Sequence, residues 1–485
     1  MLYSGLLRLD ADLRPIPDLA SGWDATPDGR TLTFTLRADL FWHDGVPLDA
    51  GDVVFTLDRL RALPPTTTAL LADLRYISEA TAPTADTVVL TLTSRFAPLF
   101  AALTVPILPR HLLAERDLAA VNFWELPIGS GPFRLAEARP GEQYRLERFE
   151  RFHFGVPLLD SVTFSLVPEV SAARTALAEG RLLLSELPWG AHEPLPEGVR
   201  GGSYPENGFY FLGFNLRADR VFADLRLRQA LALAVDRPAL VEEATGAQGT
   251  PINSTALPGS WADLTAPPAA GTDLDTARAL LDQAGWILPE GSEVRQREGQ
   301  PLTVSLYVRS DDERRLRAAR AIAAAGATIG MQILVESGDF TSVILSRYAP
   351  PFAFDLLLGS WSNGAGDPDF ADTSFYDPDD FPLFHSSQLY QGVADGRAIR
   401  NIVGYNSPTY DLHAEAARQL YNLNERSAAI SSAQAQIAEE LPYLLLWTDR
   451  MPLLLTERMM TLDGPVILSS PNYYWNIERW YLQPR

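Results

Sequence analysis

Between Leu302 and Trp361 the hydrophobic pattern switches repeatedly between two periods. "LTVSLYV" alternates like a strand, Asp311 to about Ala325 has helical spacing, and "MQILVES" reads as a strand again. "FTSVILSRY" then reads as a helix and "FDLLLGSW" as a further strand. Strands separated by helix-length segments need crossover connections. The order therefore predicts βαβ units, a mostly parallel sheet and helices on its faces. "GSWSNGAGDPDF", residues 359–370, begins at the C-terminal end of the last of these strands. Ligands of open α/β sheets bind outside strand C-termini, so this segment reads as the rim of a pocket.

The flanking segments repeat the theme. "TLTFTL" places Leu32, Phe34 and Leu36 on one face, and "TVVLTL" does the same with Val88, Leu90 and Leu92. Between them Asp49 reads as the N-cap of a helix whose stripe is Val53, Val54, Leu57 and Leu60. Further on, Asp224 caps a helix with Leu227, Ala230, Leu231 and Ala234 inward, and Asp236 with Pro238 starts another that Gly246 closes. "DLDTARALLDQAGW" has the same helical spacing. Residues 249–271, rich in Pro and Gly, read as a long surface loop or part of an interdomain joint. A chain of 485 residues is too long for one core and divides into several domains.

Charge and composition exclude several chemistries. Sixty-one acidic residues against 40 basic ones give a net charge of −21, which repels phosphate backbones and argues against nucleic acid as a partner. Every basic residue is arginine. Without lysine there is neither a Walker-A loop nor Schiff-base chemistry. Without cysteine there are no thiolate nucleophiles, thiolate zinc sites or disulfides. The longest weakly polar run, Ala321 to Val335, is too short and too interrupted to cross a membrane. Met1 is followed directly by "LYSGLLRLD", with no basic n-region and no apolar h-region, so a targeting signal is expected upstream or not at all.

Other features read as structural. Asp367 to Asp380 is rich in carboxylates, yet an EF-hand loop starting at Asp367 would need glycine at 372 and glutamate at 378, where the chain has Asp372 and Pro378. Solvated turns and helix caps are the expected role of these acids. No G-x-S-x-G or H-E-x-x-H occurs. In "WHDG", Asp44 and Gly45 form a tight turn with His43 beside it. "IGSGP" reads as a turn before the strand "FRLAEA", with Gly129 and Gly131 supplying unusual backbone angles.

Taken in order, these segments resemble the family 5 extracellular solute-binding proteins of ABC importers, which include peptide- and nickel-binding proteins. The resemblance runs through "LYSGLLRLD", "PDLASGWDATPDGRTLTFTLRADLFWHDGVPLDAGDVVFTLDRL", "PIGSGPFRL" and "FGVPLLDSVTF". It continues with "FLGFNLRADRVFADLRLRQALALAVDR", "DTARALLDQAGW", "FDLLLGSW" followed by "DPD", and "GYNSPTYD". It implies a two-lobed α/β periplasmic-binding-protein fold of the large type, with mixed sheets flanked by helices. Residues 1–215 and 451–485 would form the first lobe, with an inserted subdomain at about 12–155, and residues 216–450 the second. It also implies a signal segment, often a lipoprotein one, upstream of this chain, and hence a periplasmic or extracellular, lipid-anchored location.

The expected ligand-binding residues are Trp361, Ser362, Asn363 and Asp367, because a strand end carrying a flat apolar ring and a few aimed polar groups suits an oligomeric solute. The resemblance adds Tyr3, Tyr405 and Asn406. Phe209 and Tyr210 lie in the strand "GFYFLGF", whose alternation must send one to core and the other towards a pocket. Peptide-binding relatives carry an Asp three residues after this tryptophan, where it pairs with the peptide amino group. Here that position is Gly364, which favours an uncharged or sugar-like ligand relative to a free peptide N-terminus. The expected function is capture of a peptide, or of an oligosaccharide or metal chelate, between two lobes by hinge closure, and delivery to a membrane permease. Such a receptor is a monomer that needs no cofactor, catalytic residue or resident metal. The rival from another class is a secreted two-lobed hydrolase with a carboxylate pair at the cleft.

Overall fold

The computed structural model describes residues 1–63, 70–118, 127–187, 194–264, 266–362, 370–371, 376–392 and 399–484. Near its start, the strands Ala20–Ala25, Thr31–Leu36, Thr87–Leu92 and Ile77–Thr84 form a four-stranded antiparallel sheet in that spatial order. Phe34 stands opposite Val88 and Leu32 opposite Leu90, and all four are fully buried. The helix Ala50–Arg61 packs on this sheet through Val53 and Leu57. Asp49 caps it by accepting from the Gly51 amide, and Asp52 reaches back to the Asp49 amide at 3.1 Å, a reciprocal capping box.

"WHDG" and "IGSGP" turn out to be two halves of one joint. The His43 amide donates to the Gly129 carbonyl at 2.8 Å, and the Gly129 amide donates to His43 Nδ1 at 3.2 Å. The other ring nitrogen, Nε2, lies 3.0 Å from the Gly131 carbonyl and is the donor there. Burial pushes the imidazole pKa down to about 4, which keeps it in this neutral form. The two glycines are needed for a reason other than the expected one. Neither has a positive φ. Instead, a Cβ would lie 1.9 Å from the Leu2 carbonyl at position 129 and 2.3 Å from that of Met1 at position 131. Backbone meets backbone too closely for any side chain.

The largest sheet is mixed. Thr303–Arg309 runs parallel to both Gln332–Gly338 and Leu356–Ser362. Gly208–Phe214 then pairs antiparallel with Leu356–Ser362 on one side and with Tyr443–Thr456 on the other. The parallel expectation thus holds for the βαβ run alone, because two strands from outside that run enter in the opposite direction. Helices Leu225–Ala234 and Arg237–Thr245 are capped by Asp224 and Asp236, as the spacing predicts, and Leu274–Gln283 and Glu313–Thr328 are capped by Asp273 and Asp312. Gly246 ends the second of them at φ 61. "FTSVILSRY" departs from expectation. It forms a π-turn, Phe340–Ile344, followed by a 3-10 turn, Leu345–Arg347, in which Ile344 is the one buried residue, so no apolar stripe sustains an α-helix.

Tyr443–Thr456 is shared between two sheets. Its first half pairs with Gly208–Phe214 and Gly249–Pro251, and from Arg450 onward it pairs with Val199–Pro205 and Leu184–Glu186. The partner change falls at Asp449 and Arg450, opposite the step from Pro205 to Gly208. The Glu206 amide donates to the Asp449 carbonyl at 2.8 Å, and Thr448 Oγ1 donates to the Glu206 carbonyl at 2.8 Å, tying the two crossings together. A division at 215 would cut Gly208–Phe214 from the strands on both sides of it, whereas one at 450 coincides with the change of sheet. Away from the crossings the two bodies also touch. Leu9 and Leu13 pack with Leu257, Trp261, Ala417 and Ile430, and the Trp261 amide donates to the Asp12 carbonyl at 2.8 Å. Tyr421 inserts beside Trp23 and Phe100 and donates to the Gly29 carbonyl at 2.7 Å. The loop of residues 249–271 therefore serves the joint between the bodies.

Candidate binding crevice

Trp361 and Phe209 are directly opposite each other in adjacent antiparallel strands, so the pleat sends both to the same face. Trp361 is 1 % exposed, lies nearly parallel to Phe211, and donates through Nε1 to the Tyr443 hydroxyl at 3.4 Å. With Asn207, Thr448 and Tyr376 the pair lines a small cavity of ≈ 40 Å³. Tyr376 also walls a second cavity of ≈ 270 Å³, lined from the first lobe by Tyr3, Arg8, Asp18, Tyr474 and Trp475. Two of the expected residues thus meet at one cavity and Tyr3 stands at the next, with Tyr376 between them. Ser362 ends the Trp361 strand opposite Gly208, while Asn363 and Asp367 lie outside the described residues.

Tyr376 was not anticipated. Its φ of 62 places a bulky residue in the left-handed region, which is uncommon and signals a position held by its surroundings. Burial raises its phenol pKa to about 12, with Tyr474, Glu206 and Glu186 adding to the rise. Glu186 accepts from the hydroxyls of Tyr204 at 3.1 Å and Tyr473 at 3.0 Å. One legible signal for this wall exists: "PNYYW", residues 471–475, sets three aromatics in a row.

The remaining expected residues go elsewhere. Tyr210 faces the helix side of the sheet, stacked on Trp447 at 4.3 Å, and donates to Asp449 at 3.1 Å. Arg314 completes that network, 2.7 Å from Asp449 and 3.0 Å from the Tyr210 hydroxyl. Tyr405 sits in solid core near the Phe214 end of the same strand, against Phe384 and Tyr410, and donates to Glu440 at 2.6 Å. Asn406 beside it is exposed. Neither is brought to the Trp361 cavity.

The described acids of the 367–380 stretch are consumed internally. Asp377 pairs with Arg426 through contacts of 2.6 and 2.7 Å, both side chains 2 % exposed. Asp379 accepts from Arg418, and Asp380 accepts from Tyr410 at 2.6 Å, from Thr255 and from Gln434. Burial raises the Asp380 pKa to about 7. These three anchor loop to helix.

Two bodies joined at paired crossings, with aromatic rings from both meeting in the crevice, make up the architecture of a periplasmic-type binding protein. The chain belongs to the bacterial extracellular solute-binding proteins, family 5, whose middle-region model matches residues 14–382. It is 29 % identical over 450 residues to Protein XP55 of Streptomyces lividans, covering 92 % of this chain and 78 % of that one. It is 24 % identical to the oligopeptide-binding protein AppA of Bacillus subtilis, covering 99 % and 86 %. Among solved structures, NikZ of Campylobacter jejuni in complex with Ni(L-His) superposes with a TM-score of 0.68 at 24 % identity, covering 99 % of this chain and 94 % of that one. The protein is a solute-binding receptor of the ABC-importer class, not an enzyme, and its family is extracytoplasmic. Among the described residues no helix is long and apolar enough to cross a membrane.

Proposed function

We propose that this receptor captures a peptide or similar polar solute in the crevice and presents the closed form to a permease. The lobes would turn about the paired crossings at Pro205 to Gly208 and Asp449 to Arg450, with residues before and after these points forming one body and the intervening chain the other. Open and closed states of similar free energy suffice, because a solute touching both bodies stabilises the closed one by its differential contacts. The observation that carries this reading is the convergence of Trp361 and Phe209 from one body, and Tyr3 and Tyr474 from the other, on Tyr376. Flat rings with few fixed polar groups suit a flexible backbone of variable sequence. Ser362, Asn363 and Asp367 are proposed as further contacts to the solute in this reading. The receptor acts as a monomer, lipid-anchored through an upstream segment.

Native mass spectrometry of protein purified from its host, followed by thermal-shift titration with tripeptides, maltotriose and Ni(L-His), tests the assignment. A retained peptide that raises the Tm and is recovered intact is the expected result. Cleaved products overturn it.

A further inference from the structure

The charges bordering the crevice do not balance. Arg8 is paired with Glu478 at 3.1 Å, and Arg314 with Asp449 and Asp312 at 2.7 and 3.0 Å. Glu186 and Glu206 have no such partner: among the described residues no arginine or histidine stands within ion-pair distance of either. Both stand beside the crevice. Glu206 immediately precedes Asn207, which lines the Trp361 cavity. Glu186 is held by Tyr473, whose neighbour Tyr474 lines the larger cavity together with Tyr376. The rings of Tyr204 and Tyr473 lie 6.0 Å apart, and those of Tyr473 and Tyr474 5.1 Å. Tyr204 and Tyr376 each feel the charge of both carboxylates, which places the two acids around the same tyrosine cluster.

We propose that the captured solute is cationic, and that its ammonium or guanidinium group seats between Glu186 and Glu206 against the rings of Tyr204, Tyr376 and Tyr474. The inference rests on the receptor reading and deepens it. An unpaired carboxylate in a crevice that sheds water on closing is costly unless a cation enters with it. Tyrosine faces attract the same cation through their ring quadrupoles. Two hydroxyl donors fix the Glu186 carboxylate in place, so little ordering is left for the ligand to impose. Burial and the nearby Asp449 charge raise the Glu206 pKa and the Arg314 charge offsets part of that rise, so a bound cation relieves the repulsion that remains.

Calorimetric titration of the whole chain with Lys-Ala-Lys, N-acetyl-Glu-Ala-Glu and maltotriose tests this, repeated on Glu186→Gln, Glu206→Gln and the double variant. Lys-Ala-Lys should bind best, weaken with added salt, and lose at least about tenfold in affinity per charge removed, as charge-assisted hydrogen bonds do. Unchanged Tm values of the free variants confirm that folding is intact. Tighter binding of the acidic or neutral probe, or Lys-Ala-Lys binding that the variants leave untouched, overturns the cation assignment while the receptor stands. Binding of none of the three overturns both.

Discussion

Asp377, Asp379 and Asp380 bear the same carboxyl group as Glu186 and Glu206 but differ in what faces it. The three aspartates meet arginines or hydroxyl and amide donors inside one lobe, and their carboxylates hold a loop against the helices Pro408–Gln419 and Leu423–Glu440. The two glutamates meet tyrosines beside the crevice, Glu186 by accepting from Tyr204 and Tyr473 and Glu206 through the charge it exerts on Tyr204 and Tyr376. The contrast teaches that acid-rich sequence carries two meanings here, and that the partner, not the acid, tells them apart.

The sharpest way to break this comparison is Asp377→Ala. It leaves Arg426 buried and unpaired, and should lower unfolding free energy by about 3–5 kcal/mol in urea denaturation. A loss below about 1 kcal/mol would put Asp377 with the crevice acids.

Asp380→Asn should act through pH. The folded-state pKa near 7, set mainly by burial, exceeds the unfolded value of 3.8, so between these limits the native protein holds a proton that the unfolded chain has released. The Asp380 contribution is therefore fully present below about pH 4 and falls as pH rises through 7. The variant cannot ionise there, so its stability relative to the parent should climb between pH 4 and 8 by roughly 2–4 kcal/mol. His43 works the opposite way. Its pKa falls from 6.5 to about 4 on folding, so its contribution grows with pH across that interval and masks part of the Asp380 slope in the parent. Tm profiles of parent and variant recorded side by side isolate the difference.

The smallest expected effect sharpens the same line. Glu186→Gln and Glu206→Gln should each keep stability within about 0.5 kcal/mol of the parent. A larger loss would mean that the pair is structural after all.

Local rules made much of the fold legible. The Asp-capped helices and the alternating strands follow from spacing that a few neighbouring residues impose. The antiparallel strands closing the sheet did not follow, because their direction depends on where distant chain segments enter. In the site, Trp361 could be placed by its strand end, and Phe209 joined it through register. Tyr376, Glu186 and Glu206 escaped notice because their neighbours lie in segments far away in sequence. Tyr405 misled for the converse reason: a tyrosine beside an asparagine looks the same whether its hydroxyl meets solvent or Glu440.

Tyr443–Thr456 runs unbroken through both sheets, and a strand that serves two masters limits how they can part. Sliding one sheet along the other would tear its hydrogen bonds in register, and pulling them apart would stretch a continuous ladder. Swivelling about the short stretch at Asp449 disturbs neither. The geometry therefore leaves one inexpensive degree of freedom, and turning about it would open and shut the space between Tyr376 on one body and Tyr3 and Tyr474 on the other.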